Sequence, residues 1–281
     1  MAKYKYGETP EKQKKWRKEG RGLGRGSEYH PWLTVHDVAS KGNIHRVKGI
    51  KIPRDHHLLS DPERDYFYIL EFSDSVIDIR EQFPLFELEE TQAIAQDLGV
   101  EHPIDTHTNC PKMITTDFLV TIKKDGILKD LARTVKKYDD IMDQREMEKF
   151  EIERRYWKQK DVDWGIVTER EIDSTMAINL GHIRASYDLS KLEGYKELSE
   201  KSKKTVMAKF TEVICGSDIV IRDTAFDFDQ KLSLPIGTAL SLFKHLAFNK
   251  VILIDLEKEL DFDSPQNICI QQATAHGGLV G

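Results

Sequence analysis

Residues 113–136 read MITTDFLVTIKKDGILKDLARTVK, and the fold is decided there. Ile114 to Ile122 and Leu128 to Lys136 have strand length and strand composition. Asp125-Gly126 between them is a strong hairpin signal, because this pair tolerates the positive φ angles of a tight turn. Asp117 falls inside the apolar part of the first strand. An unpaired carboxylate buried in such a place costs several kcal/mol, so Asp117 either lies at an exposed sheet edge or coordinates something. Thr134 and Lys136 are two apart on the second strand and share a face. With the hairpin closed at Asp125-Gly126, that face meets Asp117, while Lys137 points the other way.

Working outward, Leu58 to Phe72 reads as a helix. Ser60 is a good N-cap, Pro62 falls in the first turn, and Tyr66, Phe67 and Leu70 form an apolar stripe. Glu63 completes Ser60-x-x-Glu63, a capping box in which the carboxylate bonds back to the Ser60 N–H. A first-turn glutamate can also project from the helix end toward the sheet, so both roles are open. Val76 to Phe83 reads as a strand with Ile77, Ile79 and Phe83 on one face and Asp78, Arg80 and Gln82 on the other. A short helix is expected around Thr91 to Leu98, a longer one over Asp143 to Lys160, and a strand over Trp164 to Thr168. Glu153 shares a helical face with Glu146, Phe150 and Trp157. It is a candidate metal ligand, a partner for Lys136, or one arm of a buried ion pair.

Helix, three strands, helix, strand is the core order of the restriction-endonuclease-like fold, an α/β (α+β) arrangement that many other domains also share. Residues 1–172 are expected to form this domain. A second domain, 173–281, is expected to be winged-helix-like, from helices over Leu192 to Cys215 and Leu234 to Phe248 followed by a strand over Val251 to Leu256.

Composition narrows the class. At 281 residues the chain is long enough for two cores. No run of about 18 apolar residues spans a membrane, and the first residues have no apolar signal region. Three cysteines without CxxC spacing argue against zinc and disulfides, and suit a cytoplasmic protein. The net charge is -6, yet Lys14, Lys15, Arg17, Lys18, Arg21 and Arg25 crowd one segment flanked by Trp16 and Trp32. Such a cluster neutralises DNA phosphates without reading sequence, or is simply the solvated face of a terminal helix. Gly20 to Gly26, GRGLGRG, lacks the lysine and hydroxyl of a phosphate loop and reads as a flexible, arginine-bearing linker. Trp32 to Val35 is expected as a short strand. His56 and His57 are adjacent, not spaced as a helical zinc pair, so at most one reaches the site. His57, Arg154 and Arg155 are further candidates for contact with DNA backbone.

Several phrases resemble the TnsA family, the endonuclease subunits of heteromeric transposases. They are Gly20-Arg21-Gly22, Pro31-Trp32-Leu33-Thr34-Val35, His56-His57-Leu58-Leu59-Ser60-Asp61, Asp78-Ile79-Arg80-Glu81-Gln82-Phe83-Pro84-Leu85, Thr116-Asp117-Phe118-Leu119-Val120 and Glu153-Arg154-Arg155-Tyr156-Trp157. The resemblance implies a Mg²⁺-dependent nuclease, with Mn²⁺ able to substitute, that cuts the 5′ strands of double-stranded DNA at transposon ends. It implies two partners, a TnsB-like DDE transposase and a TnsC-like AAA+ ATPase, the latter engaged through the C-terminal region, and a nucleoid-associated setting. The catalytic positions fall on Glu63, Asp117 and Lys136, with Glu63, Asp117, Thr134, the Val135 carbonyl and Glu153 around the metal. Thr134 departs from the glutamine of a better-known member. A lone hydroxyl is a poorer ligand for a hard cation than a carboxylate, so weaker metal binding is expected. A non-catalytic DNA-binding subunit and a stand-alone restriction or repair nuclease stay open as alternatives.

Overall fold

Thr9 caps the first helix, α1 (Pro10–Lys18), by accepting the Lys12 N–H at 3.2 Å. After it come two short strands, β1 (His45–Lys48) and β2 (Asp55–Leu58), paired antiparallel in a ribbon. Sequence patterning misses this ribbon because Asp-His-His-Leu has no apolar alternation. The helix expected from Leu58 starts at Asp61 as α2 (Asp61–Phe72), since Leu58 belongs to β2 and Ser60 is the extended N-cap. The remaining elements are β3 (Val76–Pro84), α3 (Leu88–Leu98), β4 (Thr115–Lys124), β5 (Ile127–Val135), α4 (Gln144–Gln159) and β6 (Asp163–Val167). The structure, a computed structural model, describes residues 7–39 and 42–271. The chain divides into two units, Met1–Ser174 and Thr175–Gly281.

In the first unit β3, β4, β5 and β6 form one sheet in that order, antiparallel except for the parallel pair β5–β6. The turn is the expected one, with Asp125 at φ +51° and Gly126 at φ +79°. Each face carries its own core. Phe67 and Leu70 of α2 pack with Ile79, Phe118, Val120 and Val135. Ile94 of α3 and Ile152, Tyr156 and Trp157 of α4 pack with Leu119 and Ala132 on the other side.

Three expectations about this unit need correcting. Trp32 to Val35 is not a strand; the segment turns, and buried Trp32 donates its N–H to the Gln82 carbonyl at 3.2 Å. The glycine-rich segment is packed, not a loose linker. Gly22 is buried at φ +78°, and a Cβ there would lie 2.3 Å from Pro84 Cγ. Strand β3 does not keep the expected apolar face either: Ile77 is exposed while Ile79 is buried, and Asp78, Arg80 and Gln82 are all buried. Arg80 is neutralised by Asp78 and Asp130 at 3.4 and 3.1 Å, which is how a charged row lies under cover.

The second unit runs α5 (Ser174–Arg184), α6 (Glu200–Ile214), β7 (Gly216–Val220), α7 (Ile221–Lys231), α8 (Thr238–Phe248), β8 (Ile252–Leu253) and β9 (Pro265–Ile270). Its strands lie in the order β7-β9-β8, all antiparallel. Helix α5 forms where the sequence has no regular apolar pattern. Buried Asn179 secures it by donating to the Leu256 and Lys258 carbonyls at 2.9 and 2.7 Å. The helix expected from Leu192 begins only at Glu200, behind the Ser199 cap. The strand expected over Val251 to Leu256 shrinks to two residues. Helix α8 lacks a local side-chain cap, and buried Asp229 supplies one by accepting the Gly237 and Ala239 N–H groups at 2.7 and 2.8 Å. Among the described residues no helix is long and apolar enough to cross a membrane.

Candidate functional site

The ends of β3, β4 and β5 nearest α2 bring the polar residues together. A regular strand would place Thr116 and Phe118 on one face. Here Thr116 donates to Glu153 of α4 at 2.6 Å, while Phe118 packs with Phe67 of α2. The alternation is broken between them, at Asp117. The neighbouring strand breaks at the same level: Glu81 and Gln82 are consecutive, yet Glu81 bonds to Arg54 and His56 while Gln82 reaches Glu63. Gln82 lies opposite Asp117 in the register and has a positive φ of 49°. A non-glycine residue in that region is uncommon and marks a constraint imposed by its surroundings.

Glu63 and Asp117 meet across this break. Gln82 Nε2 donates to Glu63 Oε2 and to Asp117 Oδ1, at 3.3 Å each, so the two oxygens are at most about twice that distance apart. Glu63 also accepts the Leu59 N–H at 2.9 Å and the Ser60 hydroxyl at 3.0 Å. The helix-capping role therefore exists, but the backbone donor is Leu59, one residue before the one expected, and the carboxylate still projects toward the sheet. Asp117 Oδ2 accepts the Val135 N–H at 2.8 Å, where the β4–β5 ladder has ended. Val135 thus contributes its amide to the site by holding Asp117.

Burial, followed by the charge of Asp117, pushes Glu63 up to about 8. Burial also raises Asp117, although Lys136 and the Val135 amide oppose it. Two acids held this close in a dry setting favour a shared proton or a cation. Lys136 Nζ lies 3.6 Å from Glu146 Oε2. Burial pulls its pKa down, but Asp117, Glu146 and Glu63 outweigh that and raise it. Lys136 is therefore a protonated ammonium, paired with Glu146 and within electrostatic reach of the acid pair.

Thr134 and Glu153 belong to an adjoining network. Glu153 Oε1 accepts both the Thr116 hydroxyl and the Thr134 hydroxyl, at 2.6 and 2.7 Å. The Trp157 and Trp164 indole N–H groups then bond to those two hydroxyls. Burial pushes Glu153 up to about 7 despite these donors. The Thr134 hydroxyl is spent on Glu153, which weakens its expected role as a metal ligand. Asp117, Thr134, Lys136, Glu146 and Glu153 line one groove of about 840 Å³, and Lys149 stands at its side.

The basic residues divide in a way the sequence did not show. Lys14, Arg17 and Lys18 are exposed on α1, and Lys15 is exposed beside Glu19 at 3.6 Å. Arg17 donates to the Phe86 carbonyl at 2.8 Å. Arg21, expected to face phosphate, is instead a clamp: it pairs with Asp37 at 2.7 Å and lies 4.5 Å over the Trp16 ring. Arg25 remains 60% exposed beside Asp130. His57 likewise holds the fold, its Nδ1 accepting the Val35 N–H at 3.3 Å, which ties up the ring expected to touch phosphate. Arg154 is exposed and Arg155 half-buried, and both pair with Glu151, at 2.7 and 2.9 Å, so the three carry one net positive charge. His56 is fully buried between Glu81 and Phe67 and does not reach the site.

Sequence reading missed Gln82, Glu146 and the Thr116 hydroxyl. Gln82 was visible only as one residue of a strand's polar face, and no local signal marks the break that turns it inward. The donor set is compatible with a hard cation. Among the described residues no group of three or more His, Cys, Asp or Glu side chains gathers as a metal site. Two neighbouring carboxylates, of which Asp117 lines the groove, suit Mg²⁺, which keeps several waters and needs only one or two acidic ligands beside substrate phosphate.

Comparison with known proteins identifies the family. Residues 73–169 match the family model described as TnsA-like endonuclease N terminal, and residues 171–256 the one described as TnsA endonuclease C terminal. The chain is 37% identical over 260 residues to the transposon Tn7 transposition protein TnsA of Escherichia coli, covering 91% of this chain and 89% of that protein. The chain therefore belongs to the TnsA family.

Proposed function

We propose that this protein is a Mg²⁺-dependent DNA endonuclease that cuts the 5′, non-transferred strands at transposon ends, acting with a TnsB-like transposase and a TnsC-like ATPase. The observation that carries the reading is the Gln82-bridged pair of acids, buried Glu63 and half-buried Asp117, near protonated Lys136. Glu63 and Asp117 would hold the cation. When bound, it supplies the positive charge that polarises a phosphodiester and acidifies water. The Leu59 and Val135 amides fix the two carboxylates from behind. Lys136 lies where it offsets charge building on the phosphate, and its raised pKa suits an electrostatic partner and not a proton acceptor. Exposed Lys14, Lys15, Lys18 and Arg25 are the cations best placed to meet DNA backbone.

The first unit is read as restriction-endonuclease-like, supported by helix α2, the sheet β3-β4-β5-β6 and helix α4. The second is read as winged-helix-like and partner-binding. Its succession of helix, strand, two helices and two strands, with sheet order β7-β9-β8, supports that. Asp117→Ala should abolish strand-specific cutting of labelled 5′ transposon ends in Mg²⁺ or Mn²⁺ while leaving the fold and ATPase association intact. Undiminished cutting by that variant rejects the proposal. Cutting of plain DNA without partners would favour a stand-alone nuclease.

A further inference from the structure

The side-chain amide of Gln82 joins the two acids that would hold a cation. Its Nε2 faces both acids at 3.3 Å, and its Oε1 faces away, accepting the Thr115 hydroxyl at 3.2 Å. The amide is 2% exposed, so water does not compete for these contacts. An N–H₂ group is the right neighbour for two carboxylates without metal. With a cation between them it is the wrong one, because its partial positive charge would point at the ion.

We propose that Gln82 is an additional ligand of the cation, presenting Oε1 to it after a half-turn of the amide. This inference rests on the metal-nuclease reading above and deepens it. Three features of the structure make the half-turn inexpensive. The terminal torsion of glutamine is soft and roughly two-fold, so exchanging O and N needs no movement of the chain. The Thr115 hydroxyl is both donor and acceptor, so it satisfies Oε1 before the turn and Nε2 after it. The backbone is held independently: the Gln82 carbonyl accepts the Trp32 N–H at 3.2 Å, and φ stays at +49°. A neutral carboxamide oxygen is also a proper donor for Mg²⁺ or Mn²⁺. The break in strand alternation then has a purpose, since a regular β3 would aim this amide at the opposite face.

The test uses the full chain and Mn²⁺ alone as probe. Gln82→Met keeps length and removes the amide; it should raise the calorimetric Kd for Mn²⁺ by about 10- to 100-fold. Gln82→Glu, which restores an oxygen donor, should bring the Kd back to the wild-type value or below it. In the wild type, the Gln82 side-chain N–H₂ resonances should shift on saturation with Mg²⁺ and gain nuclear Overhauser contacts to Thr115, a half-turn that a purely structural glutamine would not make. This last measurement needs no variant, so it decides the matter if Gln82→Met does not fold. A Met variant with unchanged Kd, or unmoved Gln82 resonances, overturns the inference alone when Glu63→Gln and Asp117→Asn still abolish Mn²⁺ binding. Binding indifferent to those two variants overturns the metal site with it.

Discussion

Glu63→Gln should make the metal-free protein more stable at neutral pH, by an amount that grows with pH. Glu63 is raised from its ordinary 4.5 to about 8, chiefly by burial and then by Asp117. The unfolded chain releases this proton near the ordinary value and the folded chain keeps it to about 8. Between the two, the folded state binds more protons, so stability falls as pH rises. At about 1.4 kcal/mol per pH unit the loss reaches about 3 kcal/mol by pH 7. The amide variant escapes that loss and keeps the local bonds. Its oxygen can accept the Leu59 and Gln82 donors while its N–H₂ donates to the Ser60 hydroxyl. All four tryptophans, Trp16, Trp32, Trp157 and Trp164, lie in the first unit, so their fluorescence follows its unfolding alone. Denaturation in EDTA should give coincident wild-type and variant curves near pH 4.5. The midpoints should separate by on the order of 6–12 °C at pH 7 for a unit of this size. Saturating Mg²⁺ should close the gap by stabilising only the wild type, by about 2.7 kcal/mol at a hundredfold excess over Kd. A pH-independent difference, or a less stable variant at pH 7, would refute the electrostatic account of the acid pair.

Other outcomes follow from the same contacts. Lys136→Met should lower cleavage by about 100-fold or more while Mn²⁺ affinity is kept or improved, because a neighbouring positive charge is removed; a parallel loss of metal binding would contradict the separation of roles. Thr134→Val should cost about 1–3 kcal/mol in denaturant titrations, since Glu153 loses a donor, yet leave the Mn²⁺ Kd unchanged. A large rise in Kd would restore Thr134 as a ligand. Gly22→Ala should destabilise the first unit by about 2 kcal/mol or more, because its Cβ would meet Pro84 and Phe86 at 2.3 and 2.6 Å. In a salt titration of DNA binding, Lys14→Ala with Lys18→Ala should flatten the slope by about 0.9 per charge, whereas Arg21→Ala should change stability instead.

The sequence showed which residues carry the chemistry more clearly than how they meet. Asp125-Gly126 set the hairpin, and with it the register that brings β5 beside Asp117. Ser60 and Pro62 set the start of α2, and with it the position of Glu63. These are local signals: a turn type and a cap each act within four residues. The β1–β2 ribbon carried no such signal, because its strands are short and polar. The basic residues were legible as a cluster but not in their separate roles. Arg21 differs from Lys18 only in its neighbours Asp37 and Trp16, one of them 16 residues away along the chain.

The least legible feature is the one the site depends on most. Period-two reasoning sends Gln82 and Asp117 to opposite fates, one to a polar face and one to an apolar strand. It has no means of expressing that both strands abandon the alternation at the same rung. That event is cooperative. The αL backbone of Gln82 is tolerable only while Trp32 holds its carbonyl, and its amide is satisfied only while Asp117 and Thr115 face it. Asp117 in turn is held by an amide that the β5 ladder leaves free where it ends. Each residue is unremarkable alone and costly alone, and the rung persists because four elements constrain it together. Local irregularity of this kind is where a functional site departs from the regular pattern of its fold. It explains why Glu63, Asp117 and Lys136 could be singled out as candidates by residue type, spacing and family resemblance, whereas the residue that joins the first two could not.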